Sequence, residues 1–561
     1  MVKRKAASMA IFLIIILAAL IRISGINIAV FFEEATWTAM AGEHSFSNLG
    51  MTYPSLRGLY TWPHPPVSVI MYKSATLAFG LYTYTMRMVP VIFGILSIIM
   101  VYLLCRKFLD MRTALIATIL IAFSYWHVLA SLEIDIDGGI LTFLFLALAY
   151  SFLRFESSSE KKWLITTGII FGLSLLTKYT SFIFVLFLLT YVVAKKVIWK
   201  NSLRKEVLSL VYIGVIGLLV FSIFPLASFL TNSSSFLKTI SHSSGYASLF
   251  HPTIRPLIYL FVFGTPLYIG LALLAALYFR KGMKPIHLFL ILWILVPLIL
   301  YSVFLGPKNA EGPYEKYLMI LIPPMVMLAG TFLSRISFKK RDIYAMATVF
   351  LVSFSLIYLS NLQPARYIDH DMNSYIINAA SLKWDFNFPI MANTEPGFYV
   401  NFYSLAAVSI LSIILIAATA VLMIKNKNFK QILIIFIAVG FAFNLFFLQE
   451  FLTSSTHPSI SKSVYEMVDY YKGNNLTGPI YTNALSFAFY LNKTDSNLYF
   501  FVMEEENDEF DTAKQHNATM IIGEYYPNVP KTSTTWKKLT ECTLLKKFTD
   551  KNVTLGYIFS C

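Results

Sequence analysis

The sequence predicts a polytopic α-helical membrane protein with about 13 transmembrane helices, followed by a small C-terminal α/β domain outside the membrane. Of its 561 residues, 57% are hydrophobic and only 13% are charged, whereas soluble domains have about 25% charged residues. Apolar runs of near-spanning length recur as far as residue 449. Beyond about residue 450 the apolar runs shorten, which indicates two domains, 1–449 and 450–561.

The predicted spans are long apolar stretches separated by polar loops. They lie approximately at 9–27, 87–105, 113–130, 139–155, 163–177, 180–195, 206–229, 256–279, 286–305, 317–334, 342–360, 402–424 and 431–449. Three basic residues precede the first span, and no convincing small-residue cleavage site follows it. We therefore interpret it as an uncleaved helix rather than a signal peptide.

The basic residues indicate topology rather than a nucleic-acid partner, despite a net charge of +15. Seven alternate loops, counting the N-terminus, contain 24 Lys and Arg residues. Such clustering is typical of cytoplasmic loops. It predicts a multi-pass protein among membrane lipids, with a cytoplasmic N-terminus, an outer C-terminal domain and a large first outer loop, 28–86.

Polar residues at the outer ends of spans are functional candidates because charge beside a bilayer is costly. Glu33 and Glu34 open the first outer loop in the stretch FFEEATW. Successive helical residues point about 100° apart, so the two acids cannot do the same job. A solvated loop pair is the alternative interpretation.

Three further outer groups carry candidate chemistry. His64 stands in a stiff His-Pro-Pro segment, for which a plain turn is the alternative. Between the third and fourth spans, Glu133, Asp135 and Asp137 could bind a metal, orient an acceptor or merely cap the next helix. Lys178, between two short spans, suits a lipid phosphate or simply reaches toward the interface. Acids and cations at one headgroup plane indicate transfer chemistry on a lipid-linked phosphate.

The C-terminal domain has features of an oxidising, glycosylating compartment. Cys542 and Cys561 form a candidate disulfide. The segment ISKSVYEMVDYYKG reads as an amphipathic helix, and GPIYTNA, ATMIIGEYY and VTLGYIFS read as strands. Four glycosylation triplets lie in this domain, at Asn475, Asn492, Asn517 and Asn552.

These motifs occur in an order that resembles the GT-C superfamily of membrane glycosyltransferases, specifically the protein O-mannosyltransferases and the aminoarabinose (ArnT-like) transferases. The resemblance covers about residues 9–335, and the outer α/β tail is similar to that of archaeal members. Its motifs are Glu33-Glu34, His64-Pro65-Pro66, Arg87-Met-Val-Pro90, the acidic end of the third span, the Leu-Thr-Lys of Lys178, and Tyr317.

The resemblance implies an inverting transfer of one sugar from a polyprenyl (dolichyl) phosphate to an acceptor hydroxyl of a protein, lipid or lipid-linked glycan. The catalytic residues would then be Glu33 as general base, Glu34 in support and Asp137. Lys178 is the first candidate for the donor phosphate, and the others are His64, Arg255 and Lys316. The remaining support or acceptor-binding residues would be Glu133, Asp135 and Tyr317.

One departure from the family pattern leaves alternatives open. The family usually has Asp-Glu where this chain has Glu-Glu, so Glu34 remains an alternative base and a non-catalytic subunit remains an alternative function. A polyprenyl-lipid flippase or transporter is a third interpretation. No cofactor is expected to be required, and a divalent cation held by Glu34, His64 and Asp137 is the alternative. We expect a cell-membrane location, or the endoplasmic reticulum in a eukaryote.

Overall fold

In a computed structural model of the chain, a helical membrane bundle is followed by a C-terminal sheet region. The described residues are 2–30, 34–35, 37–38, 41, 66–200, 204–231, 247–248, 252–262, 264–303, 306–307, 315–363, 365–367, 372–392, 395–474, 476, 478–483, 486–491, 498–500, 514–515, 518–523, 534–539 and 541–561. Statements about structure below concern these residues.

The N-terminal half is mainly helical. These helices are α1 (Val2–Ser24), α2 (Pro66–Phe79), α3 (Thr83–Phe108), α4 (Met111–Ala122), α5 (Tyr125–Ala130), α6 (Gly139–Ser158), α7 (Lys161–Leu175), α8 (Ile183–Trp199) and α9 (Arg204–Thr231). A 3₁₀ turn, Tyr179–Phe182, precedes α8.

The second half adds nine described helices, of which the last is the first helix of the C-terminal region. They are α10 (Arg255–Val262), α11 (Thr265–Phe279), α12 (Pro285–Val303), α13 (Ile322–Ser334), α14 (Lys340–Asn361), α15 (Met372–Ala380), α16 (Phe402–Ile424), α17 (Lys430–Thr453) and α18 (Ile460–Gly473). A 3₁₀ helix, Glu315–Leu321, leads into α13.

Ten described helices are long and apolar enough to cross a membrane, or eleven if the bent pair α10 and α11 counts as one span. A helix lies at each of the thirteen predicted positions, which confirms the polytopic helical class. The number thirteen remains a prediction, because α4 and α7 are shorter than the spans that length and composition identify.

Two predicted spans are broken rather than continuous. The run 113–130 divides into α4 and α5, because Ser124 caps α5 by accepting a hydrogen bond from the His127 N–H. Asn444 of α17 bonds both sides of this break: its amide oxygen accepts from Tyr125 N at 3.0 Å, and its amide nitrogen donates to Phe123 O at 2.7 Å. An interrupted helix at membrane depth needs such a partner for its freed backbone groups.

The second break separates α10 from α11 by a bend of 107°. Gly264 caps α11, and Pro266 occupies its first turn, where a missing N–H costs no hydrogen bond. The predicted single helix over 256–279 was therefore wrong in its continuity, because hydropathy alone does not register such a break.

Two small sheets occupy the loops of the bundle. Strands β1 (Ala247–Ser248) and β2 (Gly306–Pro307) pair antiparallel. Strands β3 (Arg366–Tyr367), β4 (Phe386–Ala392) and β5 (Glu395–Asn401) form a second sheet, which the sequence did not predict.

The C-terminal sheet has five strands in the order β7-β6-β8-β10-β9. Its strands are β6 (Ile480–Thr482), β7 (Leu498–Phe500), β8 (Thr519–Gly523), β9 (Thr543–Asp550) and β10 (Val553–Ser560). Two short helices, α19 (Ser486–Leu491) and α20 (Thr534–Leu539), complete the region. The predicted helix matches α18, and the three predicted strands match β6, β8 and β10, whereas β7 and β9 were missed.

The C-terminal region packs on the end of the bundle where the first outer loop starts. The Ala29 N–H donates to Ser461 Oγ at 2.8 Å, and the Val30 N–H donates to Tyr490 OH at 2.8 Å. Apolar side chains of α18 close the same contact around Ala29. The sheet region and the acidic first loop therefore lie at the same end of the molecule.

Candidate active site

The site lies where the loop between α5 and α6 meets the start of α3. This loop, residues 131–138, contains the three predicted acids, and all three are buried. Gly138 and Gly139 fit it closely against neighbouring backbone, because a side chain on Gly138 would meet the Ala130 carbonyl at 2.4 Å. The sequence Asp-Gly-Gly thus holds a charged loop tightly against two helices.

Glu34 is held by a buried arginine. Its two carboxylate oxygens accept from Arg87 Nη1 at 2.9 Å and Nη2 at 2.8 Å. Its Oε1 also accepts from the Ile134 N–H at 2.8 Å. Such a bidentate pair is strong and geometrically specific. Glu34 therefore fastens the first loop to α3 and to the acidic loop.

Arg87 is equally engaged. Its guanidinium donates to the carbonyl oxygens of Ile28, Ala29 and Leu132 in addition to Glu34. Its side chain is 1% exposed and that of Glu34 is 0% exposed. The Glu34 carboxylate therefore has no exposed face for an acceptor. This geometry favours the supporting role of Glu34 over the role of base.

Two acid–lysine pairs stand beside this cluster. Lys316 Nζ lies 2.9 Å from Asp135 Oδ2, and Lys178 Nζ pairs with Asp137 Oδ2. The four residues come from three separate connections, which sequence order alone does not bring together. The Lys178 ammonium also lies 4.0 Å from the centre of the Tyr317 ring, in cation–π geometry.

Exposure distinguishes the three cations. The Lys178 side chain is 16% exposed, whereas those of Lys316 and Arg87 are 5% and 1% exposed. Lys178 is thus the one of these three that a ligand can most readily reach. Tyr301 stacks on Tyr317 with ring centres 5.7 Å apart and extends the aromatic wall beside it.

Burial shifts the pKa values of two carboxyl groups in the acidic loop upward. Burial raises the pKa of Asp135 to about 7, the neighbouring charge of Asp137 acts in the same direction, and Lys178 opposes the rise. Burial also raises the pKa of Asp137, again against the effect of Lys178. Tyr72 donates from its hydroxyl to the Asp135 carbonyl at 2.9 Å, and burial raises its pKa well above the usual range.

The remaining predicted site residues lie in the acidic loop, at the start of α10, or outside the described residues. Glu133 is buried in the same loop, and Arg255 begins α10, which packs against the 3₁₀ helix that contains Lys316. Glu33 and His64 lie outside the described residues. Within the described ranges, no three His, Cys, Asp or Glu residues are grouped as a metal site would require.

Some of the predicted disulfide and glycosylation residues of the C-terminal region lie within the described residues. A disulfide bond joins Cys542 and Cys561, while Cys105 is a buried free thiol. Asn552 is exposed in the β9–β10 turn, where both Lys551 and Asn552 have positive φ, as a two-residue hairpin turn requires. The other glycosylation candidates, Asn475, Asn492 and Asn517, lie outside the described residues.

The fold is similar to known membrane transferases. ArnT from Cupriavidus metallidurans in the apo state matches with a TM-score of 0.64 and 15% identity, over 99% of this chain and 98% of that one. The structure of that ArnT bound to undecaprenyl phosphate matches with a TM-score of 0.62 and 15% identity, over 98% and 97%. This chain has the GT-C fold.

The family comparison covers a shorter stretch of the GT-C fold. Residues 63–225 match the family model described as dolichyl-phosphate-mannose-protein mannosyltransferase. No curated protein sequence is significantly similar to the chain. The fold expected from the ordered motifs is therefore confirmed, and an archaeal origin stays a prediction.

Sequence reasoning missed two parts of this GT-C site. The partner of Glu34 was not predicted, although Arg87 was recorded as a motif residue. Its position at the start of an apolar span was a usable signal, because an arginine buried there needs a carboxylate. Tyr72 and Tyr301 carried no such signal, since the sequence contains 33 tyrosines.

Proposed function

We propose that this protein is an inverting glycosyltransferase that moves one sugar from a polyprenyl phosphate to an acceptor hydroxyl at the outer membrane surface. The observation that carries the proposal is the cluster of one bidentate and two simple ion pairs at the end of a GT-C bundle. The match to a mannosyltransferase family model over residues 63–225 supports the same class.

Glu33 is the proposed general base. Its neighbour Glu34 is occupied by Arg87 and the Ile134 N–H, so the adjacent acid is the one left for proton transfer. Glu33 would take the proton of the acceptor hydroxyl as that oxygen attacks the anomeric carbon. The bond from this carbon to the phosphate oxygen breaks in the same step, and the polyprenyl phosphate leaves as an anion.

Lys178 is the proposed ligand of the leaving phosphate. This leaving group needs charge stabilisation more than it needs a proton. Asp137 would hold the Lys178 ammonium in place, and the Tyr317 ring would limit its rotation from the other side. His64, Arg255 and Lys316 remain secondary candidates, and Asp135 and Glu133 would support the loop. We propose no required cofactor, and metal dependence is tested below.

The test is transfer from radiolabelled polyprenyl-phosphate sugars by the purified protein in vesicles, with hydroxyl acceptors of each class. Glu33→Gln should lower the rate on the order of 10²–10⁴-fold with an unchanged melting temperature. Full activity in Glu33→Gln would overturn the assignment of the base. Lipid crossing the bilayer without sugar transfer would instead favour a flippase.

Chelation with EDTA should leave the rate of sugar transfer unchanged. A loss of activity that Mn²⁺ or Mg²⁺ restores would contradict the metal-free proposal.

A further inference from the structure

The opposite end of the bundle contains a cavity that the transfer chemistry does not use. Helix α3 begins beside the acidic cluster with Arg87 and ends 21 residues later at Phe108, at the far end of the bundle. There a cavity of about 340 Å³ opens between the ends of α3, α4, α12 and α13. The positive-inside pattern assigns this end to the cytoplasm.

Cations dominate the lining of this cavity. Arg112, Lys284 and Arg335 line it together with a single acid, Asp110. Asp110 is already engaged, because it accepts from the Thr113 N–H at 2.8 Å as the cap of α4 and pairs with Arg335 at 3.3 Å. Neither Arg112 nor Lys284 forms an ion pair with any acid that the structure describes. The cavity therefore has an excess of positive charge.

The cationic groups remain available to a ligand. Arg112 donates one N–H to the Ile336 carbonyl at 2.8 Å, which fixes its position while leaving its charge uncompensated. His287 is buried and accepts at Nδ1 from the Lys284 N–H at 3.4 Å, so its Nε2 carries a hydrogen. A guanidinium, an ammonium and an imidazole N–H together offer donors that match phosphate oxygens.

The other lining residues suit a lipid rather than a soluble anion. Phe108, Leu109 and Ile286 give the cavity an apolar side, and it opens between the ends of apolar helices. Basic pockets between transmembrane helices at the cytoplasmic surface bind anionic headgroups. We propose that this cavity is a binding site for the phosphodiester headgroup of an anionic phospholipid.

The experiment compares two triple variants of the full-length protein with equal loss of charge. The cavity variant combines Arg112→Gln, Lys284→Gln and Arg335→Gln. The matched control combines Arg280→Gln, Lys281→Gln and Lys339→Gln, three exposed cations of the same loops that do not line the cavity. Each protein is delipidated in detergent, exposed to phosphatidylglycerol or phosphatidylcholine, and examined by native mass spectrometry for bound lipid.

The expected result is retention of about one phosphatidylglycerol by the wild type and the control, with at least tenfold weaker retention by the cavity variant. Equal losses in both triple variants would overturn the site, because diffuse charge would then explain binding. Equal retention of phosphatidylcholine would overturn its anion selectivity. If inorganic phosphate displaces the lipid at a similar concentration, the site recognises a soluble anion and the lipid assignment is wrong.

A single substitution keeps the proposal testable if the triple variant does not fold. Lys284 is exposed and forms no ion pair with a described residue, so Lys284→Gln should fold normally. It should weaken phosphatidylglycerol retention by at least threefold, while Lys281→Gln leaves it within experimental error. Identical retention by these two single variants would contradict the proposal.

Discussion

The two ends of the membrane bundle hold their charges in opposite ways. At the acidic end, Glu34, Asp135 and Asp137 are buried and each faces a cation. At the basic end, the cations are mostly exposed, and the Arg335–Asp110 pair has side chains that are 48% and 35% exposed. The buried end concentrates electrostatic energy in a few fixed contacts, whereas the exposed end spreads charge over a hydrated surface. The transfer chemistry proposed above therefore depends on the fixed contacts of the acidic end.

Breaking the Glu34–Arg87 pair at the acidic end should have the largest effect on stability. Glu34→Gln should lower the free energy of unfolding by about 3–5 kcal/mol, because it leaves the buried Arg87 charge without its counterion. Thermal melting of the detergent-purified protein measures the change. Arg87→Met combined with Glu34→Gln should recover part of the loss, and a double variant less stable than both single variants would contradict the pairing.

Lys178 should affect rate rather than stability. Lys178→Gln should slow sugar transfer by about 10²–10³-fold, because a charge that stabilises the leaving phosphate is lost. Single-turnover rates with labelled donor measure the effect. Lys316→Gln is the control, since that lysine is more deeply buried and pairs with Asp135; it should lower the melting temperature more than Lys178→Gln does. Equal rates for wild type and Lys178→Gln would remove Lys178 from the mechanism.

Removing the disulfide bond tests the stability of the C-terminal region, which lies beyond the acidic end. Replacing Cys542 and Cys561 by Ser should destabilise the C-terminal sheet by about 2–4 kcal/mol, because the bond closes a loop of 19 residues beside β9 and β10. Protease sensitivity of the C-terminal region, followed by mass spectrometry, measures this. Cys105→Ser is the control and should leave that sensitivity unchanged, since the thiol lies within α3.

Asp135 should make stability depend on pH. Its pKa in the folded protein is raised to about 7, so the folded state holds the proton more tightly than the unfolded chain does. This contribution is fully present below the unfolded pKa of about 4 and is lost as pH rises through 7. The melting temperature of the wild type should therefore fall more between pH 5 and pH 8 than that of Asp135→Asn. Parallel curves would contradict the shift.

The smallest effect is expected at the basic end. Arg335→Gln should change the free energy of unfolding by less than about 1 kcal/mol, because its pair with Asp110 is exposed to solvent. Chemical unfolding in detergent at low and high salt measures this difference. If Arg335→Gln lowered the free energy of unfolding as much as Glu34→Gln does, the charges at the two ends would not differ in their contribution to stability.

Hydropathy predicted the helices well because the bilayer imposes a length on every apolar span. The Asn444 bridge to the α4–α5 break could not be predicted in the same way, since its two contacts join residues 319 and 321 positions apart. The pairing of Lys316 with Asp135 could not be predicted either, because these two residues are also far apart in the sequence. The acids and Lys178 were identifiable because charge is rare near spans, but their partners depend on packing that no local pattern encodes.

The three-stranded sheet between α14 and α16 escaped prediction for another reason. Strands β4 and β5 contain Pro389 and Pro396, and proline argues against strand assignment in a sequence. In the structure the two strands pair with a register shift between Ile390 and Met391. Such irregular pairing near the membrane surface has no distinct sequence pattern.

The Asn444 bridge also sets an order for biosynthesis. The ribosome completes Phe123 and Tyr125 roughly 320 residues before it reaches Asn444, which at about 5–20 residues per second is roughly 16–64 s. Throughout that interval the α4–α5 break lacks the amide that will bond it. Final closure of this early segment therefore waits for α17, the last candidate membrane span among the described residues, so release of the chain before residue 430 would leave it unfinished.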